Sequence, residues 1–449
     1  MEKDLTTGKI TPQLISFTIP LVLGNLFQLT YNAVDSIIVG RYVGKEALAA
    51  VGICNPISTL FILFLNGLCM GASILMGNQF GAKDYDRLHR QISTTMLSGI
   101  IFSLILSVLC IVFARPILLL MQVDASIMGM TINYLRIIFA GLLFTFMYNC
   151  FASTLRALGD SQSPLLFVLV ACIVNVIGDL ALVAGLHMDA AGAAIATVSA
   201  QALSVIFAII LLIKKTLPFT ITRHDFRFNT QCPKFLSIGL PLALQEFLTQ
   251  LSFLALCAFV NRLGLEASSG YGVACKIVNF ATLVPSALMQ SMASFVSQNV
   301  GAGKVKRARH TLFTGIGVGL CVGCIVFTLV LLKGDVLSGF FSTDAAVIQN
   351  SYDYLKGFAL ESIVTAVLFS MIGYFNGNNQ TLWVMTQGLI QTLLVRLPLA
   401  YFMSIQPDAS LTKIGLAAPV STIVGIVLNI GYYIYWTRKQ QHPPVEEII

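Results

Sequence analysis

Charge is what this sequence has least of. Only 10% of its 449 residues are Asp, Glu, Lys or Arg, while 56% are hydrophobic; ordinary soluble domains carry about 25% charged residues. A soluble chain of this length would form two or three domains with charged surfaces. So few charges cannot cover them, and a mean hydropathy of +0.83 makes lipid the solvent. Basic patches are also missing. The net charge is +7, but the basic residues lie in short loops between apolar runs, with no basic face and no aromatic-basic interleaving, which excludes a nucleic-acid partner. No nucleotide-binding glycine loop, metal cluster or nucleophile triad is present, so neither a primary pump nor an intramembrane enzyme is expected, and no cofactor. The ten cysteines sit mostly inside apolar runs, the Cys321/Cys324 pair included. Only Cys232 falls in a polar loop, so no disulfide framework is implied.

What is present is a series of twelve apolar segments, each near the roughly 20 residues that a bilayer-spanning helix needs. They fall at about 14–39, 52–80, 91–114, 133–155, 163–186, 191–213, 235–260, 272–300, 311–332, 351–375, 381–403 and 414–436. The polar start and the absence of a small-residue cleavage site predict a retained first helix, not a signal peptide. Of the 27 lysines and arginines, only Arg41, Lys45, Arg115, Arg262, Lys333 and Lys413 fall on the side opposite the termini. Arg136, Lys276, Lys356 and Arg396 lie within or at the edge of spans, and the rest share the side of both termini. That bias predicts cytoplasmic N- and C-termini in a cytoplasmic (inner) membrane.

The second half echoes the first at an offset of about 220 residues. Gly44, Glu46, Ala47 and Gly52 match Gly264, Glu266, Ala267 and Gly272. Gly81, Ala82 and Arg87 match Gly301, Ala302 and Arg307, and Tyr134-Leu135 matches Tyr354-Leu355. Pro20 and Pro241 stand near the starts of spans 1 and 7. Six spans return the chain to the side it started from, so the copies are parallel, related by an axis along the membrane normal. The expected fold is all-α and polytopic, with twelve transmembrane helices in two six-helix lobes. The lobes are expected at residues 1–213 and 235–449, joined by a basic linker at 214–234. Two parallel lobes without a soluble domain imply a transporter that alternates access to a central site.

Particular motifs narrow this. Gln79-Phe80-Gly81-Ala82 and Gln298-Asn299-Val300-Gly301-Ala302-Gly303 each close the long second span of a lobe. Tyr134-Leu135-Arg136 falls in span 4, Arg156-Ala157-Leu158-Gly159-Asp160 with Pro164 precedes span 5, and Gly192-Ala193-Ala194-Ile195-Ala196-Thr197 lies in span 6. In sequence and order these resemble the multidrug and toxic compound extrusion (MATE) family over essentially the whole chain, most closely the branch named after DNA-damage-inducible protein F. The resemblance implies export of cationic or amphiphilic drugs in exchange for H+ or Na+. Its expected partners are those drugs and membrane lipid, and its expected state a monomer. A flippase for a lipid-linked saccharide, from a related branch of the superfamily, is the alternative.

Four acids lie within spans: Asp35, Asp179, Glu246 and Glu361. Charged groups in hydrocarbon are costly and ordinarily face a partner or a cavity. Tyr31 precedes Asp35 by one helical turn and Asn175 precedes Asp179 by one, each pair on a shared face; Thr197 lies on the neighbouring span. Carboxylates beside a phenol, an amide and a hydroxyl can hold a proton or a small dehydrated cation equally well. The resemblance adds Tyr134 and Asn149 to this N-lobe cluster, and makes Asp35, Asn175, Asp179 and Thr197 the set that would take Na+; no other metal is expected. At the repeat equivalents of the two aspartates stand Ala255 and about Ala400, so the second lobe lacks both acids. There Glu246 and Glu361 with Lys276 and Arg396 make two acids and two bases, for which mutual ion pairs are expected. Pro20 frees a carbonyl inside span 1 and is read as a hinge or as a static kink.

Overall fold

The computed structural model describes residues 4–214 and 231–441, so the greater part of the basic linker lies outside the described residues. The described chain is helical throughout. Its first repeat comprises α1 (Ile10–Tyr42), α2 (Lys45–Gly81), α3 (Tyr85–Leu120), α4 (Ala125–Ala140), α5 (Leu142–Ala157), α6 (Gln162–Asp179) and α7 (Asp189–Lys214). The second comprises α8 (Cys232–Asn261), α9 (Leu265–Ala281), α10 (Leu283–Gly301), α11 (Val305–Gly339), α12 (Ala345–Phe358), α13 (Glu361–Gly377), α14 (Thr381–Leu389), α15 (Leu397–Ser404), α16 (Leu411–Gly415) and α17 (Ala417–Gln441). Among the described residues ten helical stretches are long and apolar enough to cross a membrane, and the bent pairs α4–α5 and α12–α13 bring the total to twelve.

Local chemistry repeats with the fold. Gly44 and Gly264 adopt φ of +119° and +104°, a backbone that a side chain would strain, in the turns from α1 to α2 and from α8 to α9. Asp124 Oδ1 accepts from the Ser126 N–H at 2.8 Å, and Asp344 Oδ1 from the Ala346 N–H at 2.8 Å. These aspartates start α4 and α12 by satisfying the orphan donors of the first turn. The Ser126 bonds hold the Asp124 carboxyl below its ordinary range. After Asp179 the helix widens into a π turn at Leu180–Gly185, and a second π turn follows α14 at Ile390–Arg396.

Two spans differ from expectation. Apolar runs centred on 133–155 and 351–375 are each bent pairs that begin earlier, with bends of 41° and 49°. At the first break, a Cβ on Gly141 would come within 2.5 Å of a Val198 methyl. Packing against α7, which hydropathy does not register, is satisfied only by glycine there.

The chain packs as two compact units. One comprises Met1–Phe247, Ala293–Ala308 and Asn376–Thr381; the other comprises Leu248–Met292, Arg309–Phe375 and Leu382–Ile449. In the first, α6 packs on α1 and α7, and α2 on α3, α4 and α5. Serine hydroxyls staple these helices through neighbouring carbonyls: Ser73 to Ser153 O at 2.9 Å, Ser107 to Phe139 O at 2.7 Å and Ser204 to Phe167 O at 2.8 Å. Such bonds replace the hydrophobic drive that lipid cannot supply. In the second unit α12 packs on α9 and α16, with the Tyr271 and Tyr354 rings edge to face at 5.0 Å. On α3 the apolar residues Leu104, Ile105, Val108, Leu109, Val112 and Phe113 point outward and are exposed. An apolar exterior around a polar-spotted interior is the arrangement of a membrane protein.

Candidate functional site

The site assembles where α1, α6 and α7 meet. α1 runs unbroken from Ile10 to Tyr42 with Pro20 buried inside it, and it delivers Asp35 to its inner face. α6 ends at Asp179, one turn after Asn175. The approach of α7 is close, since a Cβ on Gly178 would stand 2.9 Å from the Ala196 methyl. Asn175 Nδ2 consequently reaches Thr197 Oγ1 at 3.2 Å. Exposure falls to 7% at Asp35, 3% at Tyr134, 1% at Asn175 and 0% at Asp179, while Tyr31 and Thr197 are half-buried.

Asp35 and Asp179 stand within hydrogen-bonding reach of each other. Neither Asp35 Oδ1 nor either oxygen of Asp179 receives a hydrogen bond from a donor among the described residues, and Asn175 Oδ1 is also without one. Two bare carboxylates cannot bond to each other. A proton shared between them, or a small cation among hard oxygens, satisfies the geometry. Tyr134 is close enough to feel Asp35, Asp179 and Tyr31, and Tyr31 to feel Asp35. The oxygen set of Asp35, Asp179, Asn175 and Thr197 fits a hard monovalent ion better than a soft metal. No group of three or more His, Cys, Asp and Glu side chains gathers among the described residues.

Asn149 is not drawn into this contact set. Its Nδ2 donates to Thr145 O at 2.8 Å on its own helix. Sequence reasoning overlooked Gln201, which accepts from the Thr145 hydroxyl at 2.6 Å. Its signal was available: Gln201 follows Thr197 by one turn on the same face of the otherwise apolar α7.

Among the described residues no direct salt bridge joins Glu246 or Glu361 to Lys276 or Arg396. Arg396 lies 4.3 Å from the centre of the Phe253 ring and Lys276 lies 5.6 Å from that of Phe341. Glu361 accepts from the Thr422 hydroxyl at 2.9 Å and lies within electrostatic range of Arg396. Thr422 in turn accepts from Gln391 at 3.2 Å, and Gln391 from Gln387 at 2.6 Å. Glu246 lies half-buried on α8. Aromatic faces partner the two cations and a hydroxyl partners Glu361, because in a low-dielectric interior they offer polarity without the desolvation cost of a second ion.

Residues 20–181 and 241–402 each match the family model MatE. The chain is 25% identical over 433 residues to the probable multidrug resistance protein YoeA of Bacillus subtilis, covering 94% of each chain. It is 24% identical over 394 residues to the multidrug export protein MepA of Staphylococcus haemolyticus, covering 85% of this chain and 86% of that one. Among solved structures, an outward-facing multidrug resistance MATE family transporter of the MOP superfamily superposes with a TM-score of 0.88 at 20% identity, covering 97% of this chain and 98% of the other. A MOP superfamily transporter from Pyrococcus furiosus superposes with a TM-score of 0.89 at 19% identity, covering 98% of each.

Proposed function

The chain belongs to the MatE family, and from that premise we propose that it is a secondary antiporter exporting cationic or amphiphilic drugs in exchange for H+ or Na+. The observation that carries the exchange is the Asp35–Asp179 pair, buried, with no donor among the described residues to Asp35 Oδ1 or to either oxygen of Asp179. Loading it with a cation neutralises charge in a low-dielectric interior, and unloading restores the repulsion. A ligand shifts a conformational equilibrium only by its differential affinity for the states. Asp35 and Asp179 are therefore assigned as the groups whose loading differs between the two orientations. Asn175 and Thr197 complete the set, and Tyr31 and Tyr134 complete its wall.

The moving bodies are the two repeats, residues 1–213 and 235–449, with 214–234 linking them and both termini in the cytoplasm. Multidrug relatives support the substrate class, and Pro20, buried in the helix that bears Asp35, is assigned as the hinge. The test is ethidium efflux in proteoliposomes under an imposed pH gradient and then under a sodium gradient. Efflux driven by one of the two, and abolished when it is collapsed, is expected. Efflux indifferent to both overturns the assignment.

A further inference from the structure

The paired motifs that end α2 and α10 are not absorbed by the cation site. Both lie in the first compact unit, and they meet. A Cβ on Gly81 would land on the carbonyl oxygen of Gln298, and one on Gly301 would land on that of Asn78. The two helix ends therefore cross in backbone contact, each through its own glycine.

The short segment ahead of α1 is fastened to this crossing. Leu5 is 0% exposed; its N–H donates to Gln298 Oε1 at 3.2 Å and its carbonyl accepts from Asn299 Nδ2 at 3.1 Å. Lys304 Nζ donates to Thr6 O at 2.8 Å. Arg307 donates to the carbonyls of Thr7 at 2.8 Å and Gly8 at 2.6 Å, and to Gln13 Oε1 at 3.0 Å. Gln298 also donates to Ala157 O at 2.7 Å, so one side chain joins the end of α5, the end of α10 and the segment. Asp4 Oδ1 accepts from the Thr6 N–H at 2.8 Å, which folds the segment back on itself.

The first repeat makes the mirror arrangement in reduced form. Gln79 Nε2 donates to Gln231 Oε1 at 3.5 Å, just ahead of α8, and Asn78 Nδ2 donates to Asn379 Oδ1 at 3.0 Å. Each motif thus holds the chain that leads into the first helix of the other repeat. The arginines diverge: Arg87 pairs with Asp84 of its own turn at 3.2 Å and is largely exposed, whereas its counterpart Arg307 grips Leu5–Gly8. A residue needed only to start a helix would not be redirected in this way.

We propose that residues 4–8 form a strap that fastens the α2–α10 crossing and must detach before that end of the bundle opens. Opening separates the two helix ends, and Gln298, Asn299, Lys304 and Arg307 cannot follow α10 while still holding the strap. Charge-assisted bonds to backbone carbonyls are the stronger kind, so the strap biases the resting protein toward closure at this end. The inference rests on the alternating-access reading above, in which the strapped end faces the cytoplasm.

The test reads accessibility, not transport, so its failure is distinguishable from failure of the antiport reading. Ser297 is fully buried one turn before Gly301. In Ser297→Cys, modification by N-ethylmaleimide in membranes, mapped by mass spectrometry, is expected to be slow. Adding Lys304→Ala and Arg307→Ala is expected to speed it by about tenfold or more through easier local opening. Leu5→Asp, which leaves α10 and α11 untouched, is expected to do the same and carries the test should the double variant fail to accumulate. Cys150, buried on α5, serves as the internal standard. Unchanged labelling at position 297 overturns the strap, and so does a parallel rise at Cys150, which would show that these bonds merely hold the fold.

Discussion

The amide of Asn175 donates to the hydroxyl of Thr197 across 3.2 Å, and the near contact of Gly178 with Ala196 lets α6 and α7 approach closely enough for it. Thr197→Ser keeps the hydroxyl and is expected to export ethidium at close to the wild-type rate. Thr197→Val keeps the shape, loses the oxygen and leaves the Asn175 amide buried without an acceptor, a cost of about 1–3 kcal/mol. Efflux in Thr197→Val should fall by about tenfold with membrane yield largely retained. Initial efflux rates normalised to immunoblotted protein check both, and equal rates in the two variants would remove Thr197 from the site.

In the second repeat, Glu361 has the Thr422 hydroxyl and the field of Arg396, whereas among the described residues no cation acts on Glu246. Arg396→Gln leaves Glu361 without its compensating charge and should lower yield, and Glu361→Gln added to it should recover part of the loss. Glu246→Gln has no partner to strand and should accumulate normally. Normal yield with abolished efflux in Glu246→Gln would add that residue to the coupling set. Fluorescence size-exclusion chromatography beside the efflux assay separates the two outcomes.

Spans, repeat and carboxylate pair were legible in the sequence because each is written in local terms. Apolar runs have a length, repeated glycines such as Gly44 and Gly264 have an offset, and Asn175 and Asp179 share a helical face. The breaks inside spans 4 and 10 were not legible, since Gly141 yields to the packing of Val198 and not to any feature of its own run. The strap was hidden for the same reason. Residues 4–8 read as an ordinary polar start, and the donors that order them lie about 300 positions away. The aromatic partners of the second-repeat cations were not legible either, because composition counts acids and bases but does not register that Phe253 and Phe341 lie beside Arg396 and Lys276.

Orientation is open to a direct check. A reporter fused after Lys214 or at Gln441 is expected to read cytoplasmic, and one placed between Asp335 and Asp344 to read external, from the basic bias of the loops. Paired alkaline phosphatase and fluorescent protein fusions give opposite signals on the two sides. An external reading at Lys214 would invert the assigned sidedness of the strap as well as of the first repeat.

The decisive variants are Asp35→Asn and Asp179→Asn. Each keeps the size and much of the hydrogen-bonding capacity of the acid while fixing a neutral group, so each resembles the protonated form. An amide can also do what a second bare carboxylate cannot: it donates a hydrogen bond to the remaining acid. Either variant should therefore fold, with yield equal to or above wild type, because two facing carboxylates no longer repel. Gradient-driven export should be lost, since a pair with one member fixed neutral no longer has the facing charges whose neutralisation distinguishes the loaded from the unloaded protein. Drug binding need not disappear, because a fixed charge state biases the orientation without dismantling a pocket. Tryptophan quenching by drug, measured beside efflux in the same proteoliposomes, separates binding from coupling. Export at the wild-type rate in both variants, with an unchanged response to proton and sodium gradients, would remove the pair from the mechanism and leave Glu246 as the acid to pursue.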